Sequence, residues 1–209
     1  MRKLIGTAFA LGAMVVLTIA FTGTSGLAAP AAEKGNAQIS QLYKLQAAFH
    51  RAASVRSVDG DSASVIDQRI ADMLSLWAPD GSLTLQVGNP RDGQYIGRGD
   101  LATNCPAPST DAANRGTLCT FFKYVAGSFQ PQNKLVSLSP SYKTSFVIHG
   151  ITSTVYFECH YFNVATGADG KPLWTPASHV QATGTAKMVK GVWLFDHLDA
   201  PIPAVPLGS

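Results

Sequence analysis

Glu158 and His160 are two residues apart in a predicted β-strand, a spacing that places both side chains on one face of a sheet. A carboxylate beside an imidazole forms an oriented acid–base pair, which can move a proton to or from a substrate. The opposite face of the strand carries Val155, Phe157 and Cys159 and is more apolar. Burial therefore favours Cys159 in the core and the pair outside, whereas the acid–base hypothesis requires the pair to face a cavity.

Tyr43 and Asp80 are the other candidate catalytic residues, beside His160 and Glu158. Tyr43 is one position from the apolar stripe of the first predicted helix, so its hydroxyl either reaches the mouth of a cavity or stays in water. Asp80 follows Trp77 in a turn-like segment, where an Asp commonly hydrogen-bonds its own backbone. Both residues thus have a catalytic and a purely structural interpretation.

A second polar row lies on a later predicted strand and comprises His179, Gln181, Thr183 and Thr185. If that strand pairs with the Glu158 strand, the two rows form one patch. The sequence contains no Gly-rich phosphate loop, no serine nucleophile elbow and no Cys/His cluster with zinc spacing. We therefore expect neither a cofactor nor a metal site.

Three helices are predicted to position these residues. Apolar residues recur at helical spacing over residues 39–55, and a second helix runs from an N-cap at Ser62 or Ser64 to Trp77. The segment 78–81, Ala-Pro-Asp-Gly, predicts a helix stop followed by a turn. Residues 117–129 form the third predicted helix.

Strand signals dominate the rest of the chain. Strands are predicted at residues 82–87, 95–97, 135–139, 143–149, 152–164, 179–189 and 192–198. Residues 165–176, rich in Gly and Pro, are predicted to be a long hairpin loop, and Lys190-Gly191 a tight one. Helices followed by an antiparallel meander indicate an α+β fold with the helices on one face of a curved sheet.

The N-terminus predicts export. Arg2 and Lys3 precede an apolar run from Leu4 to Phe21, and small residues follow up to Ala32. We expect a signal peptide over residues 1–28 with cleavage between 28 and 32, a polar linker over 33–38, one domain over 39–200 and a C-terminal tail over 201–209. The alternative is an uncleaved signal anchor, because the apolar run is nearly long enough to span a bilayer. The expected location is secreted, or periplasmic within the cell envelope, with membrane contact only through the signal peptide.

Charge and cysteine content narrow the functional classes. The net charge is +3, and without the two basic residues of the signal peptide the remaining Lys and Arg nearly balance 13 Asp and Glu. No Lys/Arg stripe follows a predicted element, which excludes nucleic acid as an expected partner. Of the 3 cysteines, Cys105 and Cys119 flank a loop that a disulfide is able to close, and Cys159 lies in a predicted strand.

The order of four motifs resembles the SnoaL-like domain of the nuclear transport factor 2-like superfamily. The motifs are Leu76–Gly81, Tyr95–Gly99, Thr154–Tyr161 and Gly191–Phe195, and the likeness covers residues 39–199. The resemblance implies a cystatin-like cone, in which a curved antiparallel sheet wraps around the N-terminal helices and opens at one end to an apolar pocket.

The resemblance leaves three functional hypotheses open. The first is a cofactor-independent isomerase, dehydratase or cyclase that acts through His160, Glu158, Tyr43 or Asp80 on a small apolar or polycyclic molecule. The second is a non-catalytic module that binds such a molecule, and the third is a domain that forms a homodimer through its outer sheet face. An enzyme requires two ionisable side chains that converge in the cavity, whereas a binder requires only one or two orienting polar groups.

Overall fold

A computed structural model describes residues 28–57, 59–86, 92–129 and 135–201 of the chain. The predicted signal peptide up to residue 27 and the tail from residue 202 lie outside the described residues. Among the helices that are described, none has both the length and the apolar character needed to cross a membrane.

Three helices and seven strands make up the described residues. The helices are α1 (Ala28–Ala53), α2 (Ala63–Ser75) and α3 (Leu118–Phe129). The strands are β1 (Trp77–Gln86), β2 (Gly93–Ile96), β3 (Leu135–Leu138), β4 (Lys143–His149), β5 (Thr152–Thr166), β6 (Pro172–Val189) and β7 (Val192–Pro201).

Helix α1 begins earlier than its apolar periodicity predicts. It starts at Ala28, so residues 33–38, expected to be a linker, are helical. The reason is that these residues are mostly good helix formers, and a single Gly35 costs only about 1 kcal/mol of helix propensity. At the other predicted helix start, Ser62 caps α2 by accepting a hydrogen bond from the Val65 amide.

The strands form one curved sheet in the order β2-β1-β7-β6-β5-β3, and β4 also pairs with β5. Strands β3 and β4 therefore lie end to end along the same edge of β5. The pairing of β1 with β7 is parallel, which corrects the expectation of an antiparallel sheet throughout. Local sequence patterns indicate which segments are strands. Which strands pair with each other depends on the packing of the whole sheet.

Two predicted irregular segments are in fact part of the sheet. Residues 165–176 were expected to be a loop, but β5 and β6 continue pairing up to Thr166 and Pro172, and Pro176 is accommodated at a β-bulge. Residues 78–81 were expected to be a turn, but they lie within β1 as an irregularity between Trp77 and Ser82. In both cases the bulge tolerates the Pro that breaks a regular ladder.

The hydrophobic core lies between the helices and the inner face of the sheet. The Phe49 ring of α1 lies 5.7 Å from both Phe157 of β5 and Phe195 of β7, measured between ring centroids. Trp77 and Leu42 are also fully buried. Helix α1 thus crosses the inner face of the sheet and determines which side chains meet β5 and its neighbours.

A disulfide joins Cys105 to Cys119 at the start of α3, and Cys159 is free and buried. The bridge closes the irregular segment that precedes α3, which is the loop that the two cysteines flank in the sequence. Closing a loop of about 15 residues contributes about 3 kcal/mol in the chain-entropy model. This segment therefore needs no extensive core of its own to stay attached to the domain.

Candidate functional site

An open cleft of about 1030 Å³ runs along α1, from the C-terminal end of α2 to the connection between β3 and β4. The surface of its walls is mainly apolar in area, and Ala47, Ala48 and Val55 of α1 and Leu138 of β3 contribute to it. Concave sites of this kind, with apolar walls and a few polar groups, are the usual form of small-molecule sites.

Helix α1 carries two polar side chains into the border of this cleft. Leu42, Gln46 and His50 are four residues apart, so they lie along one face of the helix. Their exposed fractions are 0%, 4% and 7%, which shows that this face is buried along its whole length. Gln46 and His50 are therefore buried because they lie on the same helix face as Leu42.

The edge of the sheet bends at the same place. The Ser139 amide donates a hydrogen bond to the His160 carbonyl oxygen, and the Tyr142 amide donates one to the Glu158 carbonyl oxygen. The two residues between Ser139 and Tyr142 leave the ladder, and the second of them, Ser141, meets α1. This break between β3 and β4 is what gives Ser141 access to the helix.

Gln46, His50, Ser141 and Thr144 form one hydrogen-bonded group, referred to below as the polar cluster. The Ser141 Oγ lies 2.8 Å from His50 Nε2 and 2.7 Å from Gln46 Nε2. The Thr144 Oγ1 lies 3.1 Å from Gln46 Nε2 and 3.2 Å from Gln46 Oε1. All four members line the cleft.

Burial lowers the pKa of His50 from its ordinary value of 6.5 to about 4, so the imidazole is neutral at pH 7. Its ring centroid lies 5.6 Å from that of Phe157 and 5.8 Å from that of Phe49. The Nδ1 atom is buried and has no hydrogen-bond partner among the described residues. An unpaired buried polar atom costs about 1–3 kcal/mol, which a ligand group or a water molecule relieves.

The polar cluster therefore offers neutral donors and acceptors beside an apolar wall. It contains a single titratable side chain, His50, and the charged residues of the cleft are Arg51, Arg56 and Asp72. Such an arrangement suits a hydroxyl or carbonyl group of a mainly apolar molecule. Within the described residues, no three His, Cys, Asp or Glu side chains are grouped so as to hold a metal ion.

The structure places Glu158 on the outer face of the sheet, defined here as the face opposite the hydrophobic core. Its neighbours Phe157 and Cys159 point to the other face and are fully buried. The Glu158 carboxylate accepts a hydrogen bond from the Tyr156 hydroxyl and another from Lys143 Nζ at 2.9 Å. These two donors, Tyr156 above all, hold the pKa of Glu158 at about 2.

His160 lies on the same outer face and stacks on Tyr142, with ring centroids 4.8 Å apart. Phe162 meets its other side edge-on at 6.2 Å. In the described part of the chain, no hydrogen bond joins the side chains of His160 and Glu158. Of the two alternatives that the sequence left open, the structure has the one in which both residues face away from the core.

Asp80 and Tyr43 lie in two further places. Both carboxylate oxygens of Asp80 accept hydrogen bonds from Lys187 Nζ, at 2.7 and 2.8 Å, and this contact lowers the pKa of Asp80. Lys187 Nζ also lies 2.7 Å from Asp196. Tyr43 is half exposed at the rim of the cleft, where its ring meets Phe146 edge-on at 5.1 Å. Of the four predicted site residues, Tyr43 alone lines the cleft, and the catalytic role of each stays a prediction.

Solved structures share this architecture. An NTF2-like protein with a cystatin-like fold from Novosphingobium aromaticivorans has a TM-score of 0.53 at 13% identity, over 86% of this chain and 92% of that chain. A candidate dehydratase of the NTF2-like family from Streptomyces avermitilis has a TM-score of 0.50 at 13% identity, over 83% and 99%. The chain has the nuclear transport factor 2-like fold.

A cystatin-like protein of unknown function from Nostoc punctiforme is similar in the same way, with a TM-score of 0.50 at 12% identity over 78% of this chain and 88% of that chain. No family model matches the sequence, and no curated protein matches it. These comparisons confirm the predicted α+β fold of the nuclear transport factor 2-like, cystatin-like type. At such identities they concern the fold alone, and the site must be argued from this chain's own residues.

Within this nuclear transport factor 2-like fold, the polar cluster contains none of the residues predicted from the sequence as catalytic candidates. One signal in the sequence points to half of it, because Gln46 and His50 continue the four-residue spacing that starts at the buried Leu42. No comparable signal exists for Ser141, which is 91 residues from His50 along the chain and reaches it only through the break in the sheet edge.

Proposed function

We propose that this domain binds a small, mainly apolar molecule in the cleft along α1 and orients it through one hydroxyl or carbonyl group. The observation that carries the proposal is the polar cluster: neutral, hydrogen-bonded side chains at the border of an apolar cleft, with the buried His50 Nδ1 left unpaired. His50 lines the cleft, and a ligand oxygen or N–H group that reached this buried atom would remove a cost that the free protein carries.

The size and lining of the cleft support a ligand with several rings. Small-molecule sites usually have volumes of about 300–1,000 Å³, and the cleft, at about 1030 Å³, is at the upper end of that range. Its alanines and Leu138 offer contact area without hydrogen-bonding side chains, so the orientation of a ligand depends on the polar groups at the border of the cleft, the polar cluster among them.

Binding is favoured over catalysis by the count of titratable groups. Acid–base catalysis needs a donor and an acceptor that converge on the reacting atoms, and His50 is the one titratable member of the polar cluster. Glu158 and His160 lie on the outer face, and Asp80 is paired with Lys187. The second candidate, a cofactor-independent isomerase, dehydratase or cyclase, is supported by the neutral His50 imidazole and its contact with the Ser141 hydroxyl.

Fluorescence titration with N-phenyl-1-naphthylamine, a neutral apolar probe with one N–H group, tests the proposal. The wild-type protein is expected to bind the probe. Ala48→Trp, which fills the cleft with an indole, is expected to weaken binding at least about tenfold, because cleft volume and apolar contact are lost together.

Ala102→Trp is the matched control, since Ala102 is exposed on a turn outside the cleft. It is expected to bind the probe like the wild type. Equal binding by both tryptophan variants, or no binding by the wild type, contradicts a binding site along α1.

We further propose that the domain acts after export. The Cys105–Cys119 disulfide supports this, because stable disulfides are rare in reducing compartments. The mass of the exported protein provides the test: the mature chain is expected to begin between residues 29 and 33. An exported chain that retains Arg2 and Lys3 contradicts cleavage and favours the anchor.

A further inference from the structure

We infer that the ligand of this cleft is an amphipathic anion: a mainly apolar molecule that carries a carboxylate or sulfonate in addition to its hydrogen-bonding group. The inference rests on the proposed function and adds the charge of the ligand to it. Its two supports are the Arg51 side chain at the cleft, which has no partner among the described residues, and the position of Arg51 in α1 relative to the polar cluster.

The charged residues that line the cleft include two arginines and one aspartate, so positive charges exceed negative charges by one. Arg56 Nη2 and Asp72 Oδ2 are paired at 2.8 Å, so these two charges compensate each other. The Gln68 side-chain amide also donates to Asp72 Oδ1 at 2.7 Å, so each oxygen of that carboxylate accepts a hydrogen bond. Arg51 lines the cleft and has no hydrogen bond or ion pair with any described residue. The side chains that line the cleft thus carry a net charge of +1, which favours the binding of an anion.

Arg51 is also placed to act together with the polar cluster. It follows His50 directly in α1, and four-residue spacing puts it in line with Ala47 and Val55, which line the cleft. His50 is buried, whereas Arg51 is exposed, so the neutral polar group lies inside and the guanidinium lies at the rim. Consecutive residues of an α-helix project about 100° apart, so His50 and Arg51 leave adjacent sides of α1, with alanines of the cleft wall beside them.

A guanidinium is suited to this role. Its planar donors bind both oxygens of a carboxylate or two oxygens of a sulfonate, and it carries a positive charge at neutral pH. Because the site is open to water, the attraction is partly screened, and exposed pairs of this kind alter affinity by about threefold to fivefold. The apolar body of the ligand therefore supplies most of the affinity, and Arg51 supplies selectivity for the anion.

Two probes with the same ring skeleton test the inference. N-phenyl-1-naphthylamine is neutral, and 8-anilinonaphthalene-1-sulfonate adds one sulfonate to it. Arg51→Gln is expected to weaken binding of the sulfonate probe about threefold to fivefold and to leave binding of the neutral probe unchanged. Added NaCl is expected to reduce this difference between wild type and variant, because it screens the same charge.

Lys44→Gln is the matched control. Lys44 is an exposed cation on the same helix that does not line the cleft, so its removal changes the net charge of the protein by the same amount. It is expected to bind both probes like the wild type. If Arg51→Gln affects the sulfonate probe no more than Lys44→Gln does, or weakens both probes equally, the inference is overturned while the proposed function stands. If the wild type binds neither probe, the proposed function falls and the inference falls with it.

Discussion

Two buried polar networks lie on the C-terminal half of α1, and they differ in how completely their atoms are paired. In the first, Arg69 of α2 donates to the carbonyl oxygens of Ala52 and Ala53, at 3.1 and 2.8 Å, and its guanidinium lies 2.7 Å from Asp61. The side chains of Arg69 and Asp61 are 9% and 1% exposed. Arg69 thus binds carbonyl groups that the end of a helix leaves without partners.

The second network is the polar cluster, which is uncharged and incompletely paired. Asp61 in the first network also accepts hydrogen bonds from the amides of Arg56 and Ser57, so its charge is compensated from several directions. In the polar cluster, by contrast, His50 Nδ1 has no partner among the described residues, and the group borders an open cleft. The first network is thus paired as a structural connection needs, whereas the polar cluster combines an unpaired buried atom with a position beside a cleft, which is the combination on which the proposed binding site rests.

The largest expected effect concerns the first network. Arg69→Met leaves the buried Asp61 carboxylate without its counter-charge and should lower the free energy of unfolding by about 3–5 kcal/mol. Urea denaturation measures the change. Binding of the neutral probe by the folded fraction should stay unchanged, because Arg69 does not line the cleft.

Arg56→Gln is the control for this prediction, because the Arg56–Asp72 pair has side chains that are 46% and 41% exposed. It should cost less than about 1 kcal/mol. A similar loss in both variants would show that burial does not distinguish the two ion pairs, and the first network would lose its structural role.

The next effect is the pH dependence of His50. Its pKa is about 4 in the folded protein and about 6.5 in the unfolded chain, so the unfolded chain binds a proton first as the pH falls. The stability associated with the neutral imidazole is fully present above pH 6.5 and decreases by about 3 kcal/mol between pH 6.5 and 4. Urea denaturation at pH 7 and pH 4 should therefore show a smaller decrease for His50→Gln than for the wild type, by about this amount. Identical pH profiles for the two proteins would mean that His50 is not buried in its neutral form.

Ser141→Ala is expected to have a smaller effect on stability than the changes at Arg69 and His50, and a clear effect on binding. It removes one hydrogen-bonding partner from both His50 and Gln46, which should cost about 1–2 kcal/mol in unfolding free energy. The neutral probe should bind more weakly, because the polar cluster loses its central hydroxyl. Ser145→Ala is the control, since Ser145 is an exposed residue of β4 outside the cleft. If the Ser141→Ala protein loses stability but binds the probe normally, the polar cluster has a structural role and does not orient the ligand.

Local sequence patterns predicted the elements better than they predicted the partners of those elements. The two-residue alternation over Lys143–His149 gives β4 with the bounds that the structure has, and the apolar periodicity before Phe129 gives α3 to within one residue. Both patterns depend on side chains close together in the chain. The parallel pairing of β1 with β7 brings together segments more than a hundred residues apart, and no local pattern records it.

The same distinction holds for the candidate site. Alternation correctly put Glu158 and His160 on one face of β5, and the apolar character of Phe157 and Cys159 indicated that this face points away from the core. The polar cluster was not predictable in this way, because Ser141 meets His50 only after α1 has crossed the sheet and the edge strand has broken between β3 and β4.

The most direct test of the binding site is a titration of the ¹⁵N-labelled protein with N-phenyl-1-naphthylamine, followed by amide chemical shifts. We expect the largest shifts in residues 46–56 of α1 and 138–144 of the sheet edge, and small shifts around Tyr156, Glu158 and His160 on the outer face. Shifts concentrated on the outer face of β5, with α1 unaffected, would contradict the account and return attention to the residues that the sequence first singled out.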